Sequence, residues 1–127
     1  MGQQQLLLIV LSTIVVGISI YTAINLFNAH SISANKDALI GELIHIGSVA
    51  QQYYHKPVDI GGGGNSFVGW ELPSGLITTG SGAYSVSSIS SQKVTILGTG
   101  KERGDDNNFI SVTATITPSE IKNLVNN

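Results

Sequence analysis

MGQQQLLLIVLSTIVVGISIYTAINLF, residues 1–27, decides how the rest of the chain is read. Three glutamines lead directly into a run of Leu, Ile, Val and small residues from Leu6 to Phe27. Only Ser12, Thr13, Gly17, Ser19, Tyr21, Thr22 and Asn25 interrupt it. A run of about 20 apolar residues is long enough to cross a bilayer as a helix. A small domain lacks the surface to cover such a helix on every side. A secretory signal peptide has a basic start, a shorter apolar core and a small-residue cleavage site. This run has no basic residue before it and is longer, so it is expected to stay on the chain. The large apolar side chains expected to form a shared core are Leu6, Leu7, Leu8, Ile9, Val10, Leu11, Ile14, Val15, Val16, Ile18, Ile20, Ile24, Leu26 and Phe27.

Composition supports a divided chain. The first formal charge of the 127 residues is Lys36. Charged residues make up 11% of the whole, against about 25% in ordinary soluble domains. Mean hydropathy is +0.23. Six basic and eight acidic residues give a net charge of -2, with no basic run or stripe. Nucleic acid is therefore not an expected partner, and no polybasic segment recruits lipid headgroups. Absence of cysteine removes disulfides, thiolate metal sites and thiol nucleophiles together.

A helical period continues beyond Asn28. Ile32, Leu39, Ile46 and Tyr53 recur every seven residues, with Leu43 and Ala50 in the adjacent row. Asn35, Asp37, Glu42, His45, Gln51 and Gln52 fall mostly opposite, which is the pattern of an amphipathic helix. Proline is absent until Pro57. One helix over about residues 4–55 is expected, apolar all round at first and one-sided later. Its second part is expected to pack on the chain's own C-terminal half. The first part, residues 1–30, is expected to project and take lipid or other copies as its partner. Residues 31–127 are expected to be globular.

After Pro57 the chain turns at GGGGN (61–65), and four extended segments follow: Phe67–Leu72, Ala83–Ile89, Lys93–Leu97 and Phe109–Thr117. In the last, Ile110, Val112, Ala114 and Ile116 alternate with Ser111, Thr113, Thr115 and Thr117, the period of a half-buried antiparallel strand. Thr117-Pro118-Ser119-Glu120 reads as a capping box opening a short helix over Ile121, Leu124 and Val125. The expected fold is α+β, one long helix laid on a small antiparallel sheet of about four strands. Its seam is expected to include Leu39, Leu43, Ile46, Tyr53, Trp70, Val112 and Ile116.

With MGQQQLLLIVLSTIVVGISIY at the start and AQQYY at 50–54, this layout resembles the type IV pilin family and its pseudopilin relatives. The resemblance implies a structural subunit of an extracellular helical filament, held in the inner membrane before assembly. Many copies of the chain would bundle their N-terminal helices, with the sheets outside. The family carries a basic leader ending in glycine, a glutamate at the fifth mature position and commonly a C-terminal disulfide. Here the fifth residue is Gln5 and cysteine is absent, so the resemblance is to a divergent member. Gln3, Gln4 and Gln5 can satisfy the orphan N–H groups of a helix start without a charge, and are register candidates. The alternative is a single-pass envelope membrane protein with an exported sheet domain that binds a partner.

Other motifs read as structure. GGGGN lacks the Lys-Ser/Thr and the preceding strand of a phosphate loop. GDDNN (104–108) matches no calcium-loop spacing and is ordinary turn chemistry. Arg103-Gly104-Asp105 reads as a chance adhesion tripeptide. His30, His45 and His55 lack the spacing of a helical metal pair. No nucleophile elbow or catalytic constellation is present. The chain is thus expected to be no enzyme, with no metal, no cofactor and no evident small-molecule substrate.

Overall fold

The computed structural model describes Gly2–Asn127. The first helix, α1, spans Gly2–His55. It ends at proline: Lys56 N–H still reaches the Gln52 carbonyl at 3.0 Å, but Pro57 has no N–H to continue the ladder. The chain divides into two units, Met1–Ser31 and Ile32–Asn127.

In the second unit α1 lies on a four-stranded sheet, β1 Gly82–Ile89, β2 Val94–Arg103, β3 Phe109–Ile116 and β4 Ile121–Val125. Spatial order is β1-β2-β3-β4 and every pair is antiparallel. Alternation decides which side meets the helix. Val94, Ile96, Ile110, Val112, Ala114 and Ile116 are fully buried, while Thr95, Leu97, Thr113 and Thr115 point away and are half-buried. Against them pack Leu39, Leu43, Ile46, Ala50 and Tyr54 of α1. The structure puts Tyr54 in the core where a strict seven-residue count puts Tyr53. An α-helix of 3.6 residues per turn drifts about 20° per heptad, so the buried stripe moves one position along. Glycine makes the close approach possible. A Cβ on Gly98 would sit 3.0 Å from the Tyr84 ring and 3.3 Å from Leu43.

Phe67–Leu72 forms no strand. Phe67 and Trp70 are both buried, three residues apart, which a period of two does not allow. They are brought inward by a turn closed by Trp70 N–H to the Phe67 carbonyl at 3.0 Å. Gly69 supplies the positive φ of 89° that the turn requires. The single-turn helix α2, Ser74–Ile77, follows Pro73.

The expected C-terminal helix is a hairpin instead. Thr117 N–H bonds the Glu120 carbonyl at 2.8 Å, and the Thr117 hydroxyl takes the same oxygen at 3.2 Å. The hydroxyl is thereby diverted from a helix cap, and β4 pairs with β3 from Ile116↔Ile121 to Val112↔Val125. This gives β3 a partner for its backbone and turns Ile121 toward the helix. A Cβ on Gly47 would lie 2.8 Å from Ile121 Cδ1. The strand count matches the expectation of about four, with β4 taking the place of Phe67–Leu72. The strand β2 also runs on to Arg103, beyond its expected end at Leu97.

The glycine run is a helix cap. Gly63, Gly64 and Asn65 donate their N–H groups to the carbonyls of Tyr53, Lys56 and Tyr54 at 2.8, 3.0 and 2.7 Å. These satisfy carbonyls left open at the end of α1. A side chain on Gly62 would collide with the Lys56 carbonyl, and one on Gly63 with the Ser66 carbonyl.

At the other end of the sheet, Asp106 holds the β2–β3 turn. Its carboxylate accepts from Asn108 N–H at 3.1 Å and from the Asn127 amide at 3.1 Å. Asn127 also accepts from Ser111 N–H at 2.9 Å. These bonds, led by Asn108 N–H and then the Asn127 amide, pull the Asp106 carboxyl below its ordinary value of 3.8. A folded-state pKa below the unfolded one means that the unfolded chain binds the proton better. The contribution is therefore complete above the ordinary value and is lost as pH falls through the depressed one. Wild type is expected to lose protection of the Ser111 amide in hydrogen exchange as pH falls below about 4. Asp106→Asn should flatten that dependence; an unchanged acid profile in the variant would refute the assignment.

Candidate assembly surface

In the first unit the apolar run forms the surface of α1. Fifteen large apolar side chains between Leu6 and Phe27 are each 54–73% exposed. They include every residue expected in the shared core, plus Tyr21. The most apolar 18-residue window has a mean hydropathy of 2.4, and none of it is buried. At 1.5 Å per residue, Leu6–Phe27 spans about 33 Å, matching the roughly 30 Å hydrocarbon core of a bilayer. By length and composition this helix can cross a membrane.

Four hydroxyls within the run are internally bonded. The hydroxyls of Ser12, Thr13, Ser19 and Thr22 donate to the carbonyls of Leu8, Ile9, Val15 and Ile18, at 2.7, 2.9, 2.9 and 3.0 Å. Each uses the carbonyl four residues back, a contact that hides a hydroxyl in an apolar setting. Apart from the Tyr21 hydroxyl and the Asn25 amide, the surface they leave is apolar. Ridges of side chains bound shallow grooves, one along Leu8, Ile9, Ser12, Thr13 and Val16 of about 480 Å³ and another beside Gln4, Leu7 and Leu8 of about 330 Å³. Such grooves accept the side-chain ridges of a neighbouring helix. Gln3, Gln4 and Gln5 lie exposed in the first turn, where helical N–H groups have no intrahelical acceptor.

The expected seam residues lie in the second unit. Leu39, Leu43, Ile46, Trp70, Val112 and Ile116 are buried there, and Tyr53 is half-buried with its hydroxyl on the Val68 carbonyl at 3.0 Å. Arg103 of the RGD tripeptide is engaged locally. It donates to the Asn107 carbonyl at 2.7 Å and stacks 4.6 Å from the centre of the Phe109 ring.

Two polar anchors between α1 and the sheet carry no local sequence signal. The Asn35 amide donates to the Ser81 carbonyl at 2.8 Å and accepts from Lys101 N–H at 3.1 Å and Glu102 N–H at 3.3 Å. Glu42 accepts from the Thr79 hydroxyl at 2.7 Å and from the Tyr84 hydroxyl. Burial, and then the Glu42 carboxylate, push the Tyr84 hydroxyl well above its usual pKa. In sequence both anchors look like polar residues on a solvated helix face. Their partners stand 37 to 67 residues away.

The architecture is pilin-like: a long apolar N-terminal helix whose later part, Ile32–His55, packs on a small antiparallel sheet. No known protein family, curated protein or solved structure matches the chain.

Proposed function

We propose that the chain is a structural subunit of an extracellular helical filament, inserted in a membrane before assembly. One observation carries this reading: an exposed, predominantly apolar surface from Leu6 to Phe27 whose serine and threonine hydroxyls are bonded internally. Apolar surface of that extent in water marks an interaction site. Moving the helix from lipid into a bundle of like helices leaves its apolar environment nearly unchanged. Selection between the two rests on close packing, because lipid tails are as apolar as leucine. Small residues such as Gly17 and the back-bonded Ser12 and Thr13 favour close approach. A contact repeated head-to-tail without closing generates a fibre. The sheet units then form its outside.

Single-particle imaging of fibres sheared from the cell surface tests this. The expected result is Leu6–Phe27 in contact with several identical helices at once. Cells that shed no fibre containing this chain, with a lone helix in lipid, would overturn the proposal in favour of the single-pass envelope protein. The same preparation addresses the glutamines. With Gln3, Gln4 and Gln5 all replaced by Leu, a register role requires lower fibre yield or altered helical order, and unchanged fibres would refute it.

A further inference from the structure

The loop that caps α1 also walls a surface cavity of about 330 Å³. Val49, Gln52 and Tyr53 contribute from the helix, Lys56 from just past its end, and Gly61, Trp70 and Glu71 from the loop. The aromatic walls are held in place. Tyr53 is fixed through its hydroxyl bond to Val68. The loop closes on its ring only because residues 63 and 69 are glycines. A Cβ would stand 2.8 Å from Tyr53 Cε1 at Gly63 and 2.9 Å from the Tyr53 hydroxyl at Gly69. Trp70 is 5% exposed and is held by the turn from Phe67.

The charged groups in this cavity are uncommitted. Among the described residues the only ion pair is Lys122–Glu120. Lys56 and Glu71 therefore line one cavity without pairing with each other or with another charged group. A ligand of net charge would meet one like charge there. A neutral ligand must both donate, to Glu71, and accept, from Lys56; the Gln52 amide does both. Hydroxyl groups have that double capacity. The half-buried Tyr53 ring, with the edge of Trp70 beside it, calls in addition for apolar C–H groups. A pyranose combines both in a volume suited to this small site, at the lower end of the range for ligand pockets.

We propose that this cavity binds a neutral pyranose, free or as the end of a glycan chain. The site belongs wholly to Ile32–Asn127 and does not depend on fibre assembly.

Trp70 is the only tryptophan of the chain, so its fluorescence reports directly from the site. The full-length protein, solubilised in a detergent without a sugar headgroup, is titrated with glucose, galactose, mannose and their N-acetylamino derivatives. A saturable change is expected with at least one of them, at millimolar concentration. Glu71→Ala and Lys56→Ala, both at exposed positions, should each weaken it roughly tenfold with an unchanged far-ultraviolet dichroism spectrum. Glu71→Gln keeps an acceptor oxygen and should retain binding of the sugar. The assignment is overturned by no saturable response to any of these sugars up to about 100 mM. It is also overturned by a response indifferent to Lys56→Ala and Glu71→Ala, or by saturation with glycine or alanine in place of sugar, since a zwitterion also matches the two charges.

Discussion

Replacing Val16 with arginine is expected to abolish fibres while Ile32–Asn127 stays folded. Val16 lines the larger groove of the apolar run and is 56% exposed. In a helix bundle the guanidinium would be buried with no acid in reach, because residues 1–35 contain none. Breaking or omitting the partner of a buried charge costs about 3–5 kcal/mol. The cost recurs in every subunit, so a polymer has no copy that avoids it. Insertion suffers too, by about 2.5–3.5 kcal/mol for arginine at the centre of a spanning helix. Electron microscopy of sheared material reads the loss of fibres. Trp70 fluorescence of the solubilised chain checks that the sheet unit is intact. Val16→Leu, which keeps the surface apolar, should assemble. Fibres of Val16→Arg at wild-type yield would remove the assembly surface from Leu6–Phe27.

Leu43→Ala is expected to cost the second unit about 3 kcal/mol, within the 2–5 kcal/mol range of buried leucine truncations. Leu43 is fully buried and packs toward Gly98 on the sheet. A cavity left there faces a strand held on both edges by β1 and β3, so the walls cannot collapse easily. At roughly 4–8 °C per kcal/mol for a domain of this size, the melting temperature should fall by about 10–25 °C. Ile44→Ala removes a similar volume one residue further on. Ile44 is 45% exposed, and its truncation should stay within about 0.5 kcal/mol. Thermal unfolding followed through Trp70, which belongs to the same core, separates the two variants. Equal effects would mean that the helix does not present its Leu39–Leu43–Ile46 stripe to the sheet.

What the sequence alone determined was whatever depends on local pattern. A proline-free run to Pro57 predicts one helix, observed as Gly2–His55. Alternation at Phe109–Thr117 predicts the strand observed at Phe109–Ile116. A predominantly apolar Leu6–Phe27 predicts a helix with large apolar side chains all round, and those side chains are exposed within the first unit. Periodicity carries such features because each is set within a few turns of backbone.

Tertiary structure decided the rest, where local chemistry permits two answers. Thr117-Pro118-Ser119-Glu120 suits a helix start or a two-residue hairpin loop, and the unpaired edge of β3 selects the hairpin. Phe67 and Trp70 have strand-forming side chains, but the core needs both on one side, and Gly69 permits the turn that puts them there. Tyr54 displaces Tyr53 from the core through helical drift, which frees Tyr53 to bond Val68 and wall the cavity beside Trp70. Asn35 and Glu42 gain their meaning only from groups brought across from the sheet. A one-dimensional pattern records which residues are polar. Which distant donor or acceptor meets them is set by how the helix and the sheet pack.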